Sequence, residues 1–264
     1  MAVKNNSKDN KDPLYRKVTH TQYTGIKKIG DKGPQSWLQK VIVPLDKYFY
    51  KGNMGGQTVT DEFVESPAQA NIAPLIFGGV ALLFVLLSLY ILFTNDEIDG
   101  SGNEFIYYTL SISILILLFI IYYYFTMPKK EIILNRMDST ITFPGFMWKK
   151  NITMPFDKIK FSYTSGGPNF IGAYMLVIVR PDKAGSTLGF PFPGIDCYQD
   201  LAYLTWYMDK NRPLPPAEDL DAYREKDFER RKKEKFKKPL YRSQIPTPEA
   251  TPEQQAERER IGKW

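Results

Sequence analysis

Two stretches of this chain contain no charged residue: residues 72–94, IAPLIFGGVALLFVLLSLYILFT, and residues 105–127, FIYYTLSISILILLFIIYYYFTM. At ~1.5 Å per residue, a helix of either length crosses a hydrocarbon core of roughly 30 Å with some tilt. A helix apolar on every side has no face for water, so the expected arrangement is a transmembrane helical hairpin closed by the short segment 95–104.

The flanking charges give an orientation. The segment NDEIDGSGNE carries Asp96, Glu97, Asp99 and Glu104 and no Lys or Arg, whereas Lys129 and Lys130 follow the second stretch directly. Eleven Lys and Arg precede the first stretch, although its close flank holds Asp61, Glu62 and Glu65. Basic residues are retained on the cytoplasmic side, so both ends are expected inside and the acidic loop outside. Tyr107, Tyr108 and Tyr122 to Tyr124 stand at the two ends of the second stretch, where amphipathic rings favour the headgroup level. The first residues are too polar for a signal peptide, so the first span is expected to act as an uncleaved anchor. Gly78 and Gly79 allow close approach of a second helix, within the hairpin or from a partner. Neither span carries an ionisable side chain, which argues against an ion path or proton relay.

The other residues of the 264 bear a net charge of +6, spread over both ends of the chain. Without a compact basic helix or a zinc-finger spacing, that excess does not indicate nucleic acid, and attraction to an anionic inner leaflet explains it. The single cysteine, Cys197, excludes an intramolecular disulfide. No Gly-rich loop ends in Lys-Ser or Lys-Thr, so a P-loop is absent. Chemistry between Cys197 and the one histidine, His20, would have to join distant segments, and Asp196 beside the thiol disfavours the thiolate. Asp196 and Asp200 are read as helix-start residues rather than a catalytic pair. The expectation is a protein without catalytic residues, metal or cofactor.

Residues 1–35 are polar and read as a flexible segment, with His20 solvated in a loop. In residues 36–53, SWLQKVIVPLDKYFYKGN, Trp37, Leu38, Val41, Ile42, Leu45, Tyr48 and Phe49 recur at helical spacing, with Pro44 as a kink. That amphipathic helix would lie in the membrane interface or pack on the cytosolic domain. Gly52, Gly55 and Gly56 open a linker running to residue 71.

After Pro128 the pattern has period two. Residues 131–134 and 140–143 flank the turn-rich 135–139 as a hairpin. Short strands are expected at 151–154, 158–163, 173–180 (central, the most apolar) and 186–192, with turns at Gly166-Gly167-Pro168 and 181–185. A helix over 198–209 would cover the sheet. The fold class is therefore α+β: a transmembrane hairpin, then a small antiparallel domain at 129–213 able to fold alone. Residues 217–237 suggest a charged helix, solvated or facing lipid or an acidic partner, and residues from 243 an extended Pro-rich tail.

This order of strands and helix resembles the pleckstrin-homology-like domains that follow a two-helix hairpin in many bacterial membrane proteins. The motifs Tyr207-Met208-Asp209-Lys210-Asn211-Arg212-Pro213-Leu214-Pro215-Pro216, Tyr223-Arg224 and Asp227-Phe228-Glu229-Arg230-Arg231-Lys232 look like those of an uncharacterised family of bacterial two-span membrane proteins. Its members are often associated with type VI secretion and Rhs-type toxin loci. The resemblance implies an inner-membrane setting and a protein partner, a toxin or a secretion component, with immunity as one role. It assigns no chemistry to any residue. The alternative is an adaptor whose sheet loops read anionic lipid headgroups, with Lys149, Lys150, Lys158 and Lys160 as the contacts.

Overall fold

The structure, a computed structural model, describes residues 14–23, 37–46, 58–68, 71–94, 100–165, 174–182, 187–189 and 196–264. In chain order the elements are β1 (Val41–Ile42), β2 (Thr58–Val59), β3 (Phe63–Pro67), α1 (Ala73–Thr94), α2 (Gly100–Thr126), β4 (Glu131–Asn135), β5 (Thr140–Phe143) and β6 (Ile152–Pro155). They continue with β7 (Phe161–Ser165), β8 (Tyr174–Val179), β9 (Thr187–Gly189), α3 (Cys197–Met208), α4 (Glu218–Asp221), α5 (Arg224–Lys233), β10 (Arg242–Ser243) and α6 (Pro252–Gly262). They form two compact units: Met1–Ser66 with Ile132–Phe143 and Ile152–Trp264, and Pro67–Glu131 with Pro144–Asn151.

The first unit is α+β. One sheet has the order β2-β3-β4-β5-β6, a second the order β7-β8-β9, and β1 pairs with β10 in parallel. The expected hairpin closes with Ile133 opposite Thr142 and Leu134 opposite Ile141. In the next pair Ile141 faces Met154 and Phe143 faces Ile152. As its apolar run implies, β8 is central, bonded to both β7 and β9. Leu134, Ile141, Phe143, Met154, Leu176 and Ile178 join Leu201, Leu204 and Tyr207 of α3 in one core. Burial of each large apolar side chain there is worth about 1.5–3 kcal/mol.

Helix α3 starts where the Asp196 carboxylate accepts from the Tyr198 amide at 2.8 Å, satisfying one of the donors a helix start leaves open. An amphipathic cover would expose one face, but nearly every residue of α3 is buried. Segments outside 129–213 help close its other sides: the Tyr207 hydroxyl donates to the Thr60 carbonyl at 2.9 Å and the Tyr203 hydroxyl to the Pro216 carbonyl at 3.2 Å, while Trp206 Nε1 donates to the Pro213 carbonyl at 2.8 Å.

Three expectations are therefore corrected. Residues 37–46 are extended rather than helical: the Leu38 amide donates to the Phe161 carbonyl, and Val41-Ile42 pair with Arg242-Ser243. The run Val41-Ile42-Val43 is β-branched, and Pro44 lacks the donor a helix would use. Residues 58–68 are no linker but a β-hairpin, with Val59 opposite Val64 and a turn held by the Thr60 hydroxyl. The tail is folded, with Phe228, Phe236, Glu249 and Arg258 buried. Within the front, the amides of Thr19 and His20 both donate to the Thr153 carbonyl. The expectations for residues 1–13, for the Gly52–Gly56 link, for the acidic 95–99 and for the turn at 166–168 lie outside the described residues.

The second unit is the pair α1 and α2 with the segment Pro144–Asn151. Both helices are long and apolar enough to cross a membrane, and most of their large apolar side chains are exposed. The buried residues of α1 are Pro74, Ala81 and Ser88. A spacing of seven keeps one seam against a neighbouring helix. Gly78 lies on that side, since a Cβ there would stand 3.4 Å from Ile120 Cγ2, whereas one at Gly79 would meet nothing within 4 Å. Of the two glycines, Gly78 is the one that serves helix contact.

Candidate functional site

Two arrangements stand out, one in each unit. In the first, Arg136 occupies the turn after β4 and is fully buried. Its guanidinium donates to the carbonyls of Tyr207 and Arg212, each at 2.7 Å, and pairs with Asp227, 91 residues along the chain. Asp227 also accepts from Arg230 and Arg231, each at 2.8 Å, and Arg231 forms a two-pronged bridge to Glu249 with both contacts at 2.7 Å. Arg258 approaches the same carboxylate at 3.3 Å and stacks on the Trp264 ring. Burial alone would raise the Asp227 carboxyl, but Arg136, Arg231 and Arg230 together hold it below its ordinary value. Beside this chain, Asp209 accepts from Arg212 Nε at 3.1 Å and from the amides of Asn211, Leu240 and Tyr241.

The network ties β4 to residues 209–258. Asp209, Arg212, Asp227, Arg230 and Arg231 lie in the segments 207–216 and 227–232 singled out in the sequence, and these segments hold the tail in place. The sequence did not reveal Arg136, because a basic residue in a turn ordinarily points to water. Its one signal was the surplus of acidic and basic residues 80 to 120 positions later.

The N-terminus of α3 holds Asp200 and Cys197, both buried. Asp196 caps as expected, but Asp200 does not: one of its oxygens is buried with no hydrogen-bond partner. Burial first, then the nearby Asp196, push its carboxyl up to about 7. Burial, Asp196 and Asp200 likewise push the Cys197 thiol up to about 11, so it is held as the unreactive thiol. His20 sits in a loop with Nδ1 2.9 Å from the Thr19 hydroxyl.

In the second unit the segment Pro144–Asn151 folds against the hairpin base. Trp148 Nε1 donates to the Thr126 hydroxyl at 2.7 Å, and its ring lies 5.1 Å from Tyr123, 6.1 Å from Phe119 and 6.2 Å from Tyr122. Lys130 is buried, its ammonium 2.6 Å from the Lys149 carbonyl, and Asn151 Nδ2 donates to the Lys129 carbonyl at 3.0 Å. Asn71 and Lys130 exchange side-chain and backbone bonds at 2.8 and 3.1 Å. A Cβ at Gly145 would overlap the backbone of Lys149 and Lys150, so only glycine permits this close turn. Beside the segment, α1 and α2 leave a groove of about 600 Å³, lined by residues including Phe77, Val80, Phe84, Ile116 and Tyr123, with Met147 contributing from the segment.

The four lysines expected as lipid or partner contacts divide between the two units. Lys149 and Lys150 are exposed on the hairpin-base segment, whereas Lys158 and Lys160 belong to the first unit. Lys158 lies 3.5 Å from the Asp157 carboxylate. The Lys160 ammonium sits over the rings of Trp37, at 4.8 Å, and Tyr23, at 5.6 Å. Lys40, expected on the polar side of a helix, bonds the carbonyls of Asp157 and Ile159, and burial lowers its ammonium to about 8. Among the described residues no group of three His, Cys, Asp or Glu is placed to hold a metal ion. Comparison with protein-family models, with curated proteins and with solved structures gives no match to this chain.

Proposed function

We propose that this chain is a bacterial inner-membrane protein that spans the bilayer twice, keeps both ends in the cytoplasm, and acts without catalysis by binding another protein through its α+β unit. The observation that carries the reading is the hairpin itself: two helices that are long, uncharged and covered in exposed apolar side chains are stable only where lipid replaces water. The chain-end charges support the cytoplasmic orientation. The buried Cys197, whose thiol is held protonated by burial and by the neighbouring Asp196 and Asp200, supports a binding role.

The motifs between residues 207 and 232 favour a type VI secretion or Rhs-type toxin setting, with the partner a secretion component or a toxin against which the chain gives immunity. The strand order supports a pleckstrin-homology-like reading of the α+β unit. The other reading, headgroup recognition by Lys149, Lys150, Lys158 and Lys160 together, is weakened by the placement of Lys160 over two rings and of Lys149 and Lys150 in the hairpin unit.

Capture of the full chain from membranes of its own bacterium, probed for the products of neighbouring genes, tests the proposal. A toxin or secretion component is expected to co-purify, and its retention is expected to fail in a chain cut before residue 214. Absence of such a protein, together with unchanged toxin sensitivity in a strain lacking the gene, would contradict it.

A further inference from the structure

The hairpin unit has a feature that neither anchoring nor protein binding uses. Its groove is apolar along α1 from Pro74 to Phe84, about 15 Å of helix, and its volume falls within the range of sites that take small apolar ligands. Met147 of the segment Pro144–Asn151 is among its lining residues. Two and three residues further on stand Lys149 and Lys150, exposed, with no carboxylate partner among the described residues. That separation is at most about 10 Å of chain, within reach of a lysine side chain from the groove mouth. The segment bearing them is fixed: Trp148 is held by three rings and by Thr126, the Lys149 carbonyl by Lys130, and the Lys129 carbonyl by Asn151.

We propose that the groove and these two lysines form one binding site for an anionic phospholipid, with an acyl chain along α1 and α2 and the headgroup at Lys149 and Lys150. The site rests on the reading that the hairpin lies in a bilayer. Charge decides the occupant. An apolar helix of a partner would fill the groove and leave two cations without a counter-charge. A zwitterionic lipid brings its own cation beside its phosphate. An anionic lipid alone satisfies both ends of the site, and basic side chains near an anionic headgroup each add to its retention. Trp148 and the tyrosines beside it place amphipathic rings where the acyl chain meets the headgroup.

The test uses the full chain in detergent micelles, with phosphatidylglycerol and phosphatidylcholine of identical acyl chains added in turn. Lipid retention is read by native mass spectrometry and thermal unfolding. Phosphatidylglycerol is expected to bind about 30-fold more tightly, the sum of two basic contacts. K149E/K150E, on an exposed segment, should bring the ratio below one, since each change puts an anion where a cation stood. V80W, which fills the groove from its open side, should weaken both lipids. Equal retention of the two lipids, or a preference that survives K149E/K150E, would overturn the site. So would a cross-link between two copies carrying I116C that excludes lipid. Release of the chain from membranes by alkaline carbonate would overturn the membrane reading itself. A chain that resists carbonate but shows no lipid preference overturns this site alone.

Discussion

The two units handle charge in opposite ways. In the α+β unit, charges are carried inside and matched: Arg136, Asp227, Arg231 and Glu249 are all buried, each against an opposite charge. In the hairpin unit, α1 and the 104–126 part of α2 carry charge only at Glu104, and apolar side chains face outward. A buried ion pair contributes little net stability, because desolvation offsets attraction, but losing one partner is costly. Apolar side chains exposed to lipid need no partner at all. The first unit is therefore fragile to the loss of single partners across long sequence separations. On the membrane reading proposed above, the second tolerates apolar exchange and is intolerant of any new charge.

The largest expected effect follows from that fragility. R136M takes one of three guanidiniums from Asp227 and leaves the buried carbonyls of Tyr207 and Arg212 without their donor, and should destabilise the α+β unit by about 3–5 kcal/mol, seen as a lowered urea midpoint. A midpoint unchanged within error would mean the network is dispensable and the comparison wrong.

Among the described residues of the first unit, Asp200 is a buried carboxyl without a matched cation. Its folded pKa is raised, to about 7, so the native state binds the proton more tightly than the unfolded chain. Its stabilising contribution is full below the unfolded pKa of about 4 and is lost as pH rises through 7, up to about 4 kcal/mol in all. D200N should flatten that loss between pH 5 and 8 in unfolding curves. Parallel pH profiles for the two proteins would show that Asp200 is ionised throughout.

The hairpin gives the converse case. Leu83 is 64% exposed, so L83K would cost almost nothing in water. At the centre of a bilayer the same change costs about 2.5–3.5 kcal/mol, and should be read as reduced membrane insertion in a glycosylation-site reporter. Insertion equal to wild type would count against a lipid environment. Smallest of all, T251A removes the side chain that accepts from the Gln254 amide at the start of α6. It should cost about 1 kcal/mol, measured as a small shift in the same urea midpoint.

What the sequence showed divides along the same line. The hairpin is legible because it depends on local composition, and strands β4 to β8 because alternation is local too. In residues 37–46 the apolar spacing suggests a helix, but three successive β-branched residues and Pro44 favour the extended form that is found. The tail was misjudged because its charges look solvated until Arg136 is placed among them, and no local pattern links position 136 to 227. The same holds for the basic contacts: Lys149 and Lys150 were visible as exposed lysines, but the rings that take up Lys160 come from Tyr23 and Trp37, more than 120 positions away.

The central claim, a chain that crosses the membrane twice with its α+β unit inside, is tested most directly by cysteine labelling in intact cells. Cys197 is buried, so background reaction is low. With a membrane-impermeant maleimide, S101C is expected to react from outside, while K237C reacts only after the membrane is opened. Reaction of K237C in intact cells with S101C protected would invert the topology, and equal reaction of both in a soluble fraction would contradict the membrane reading altogether.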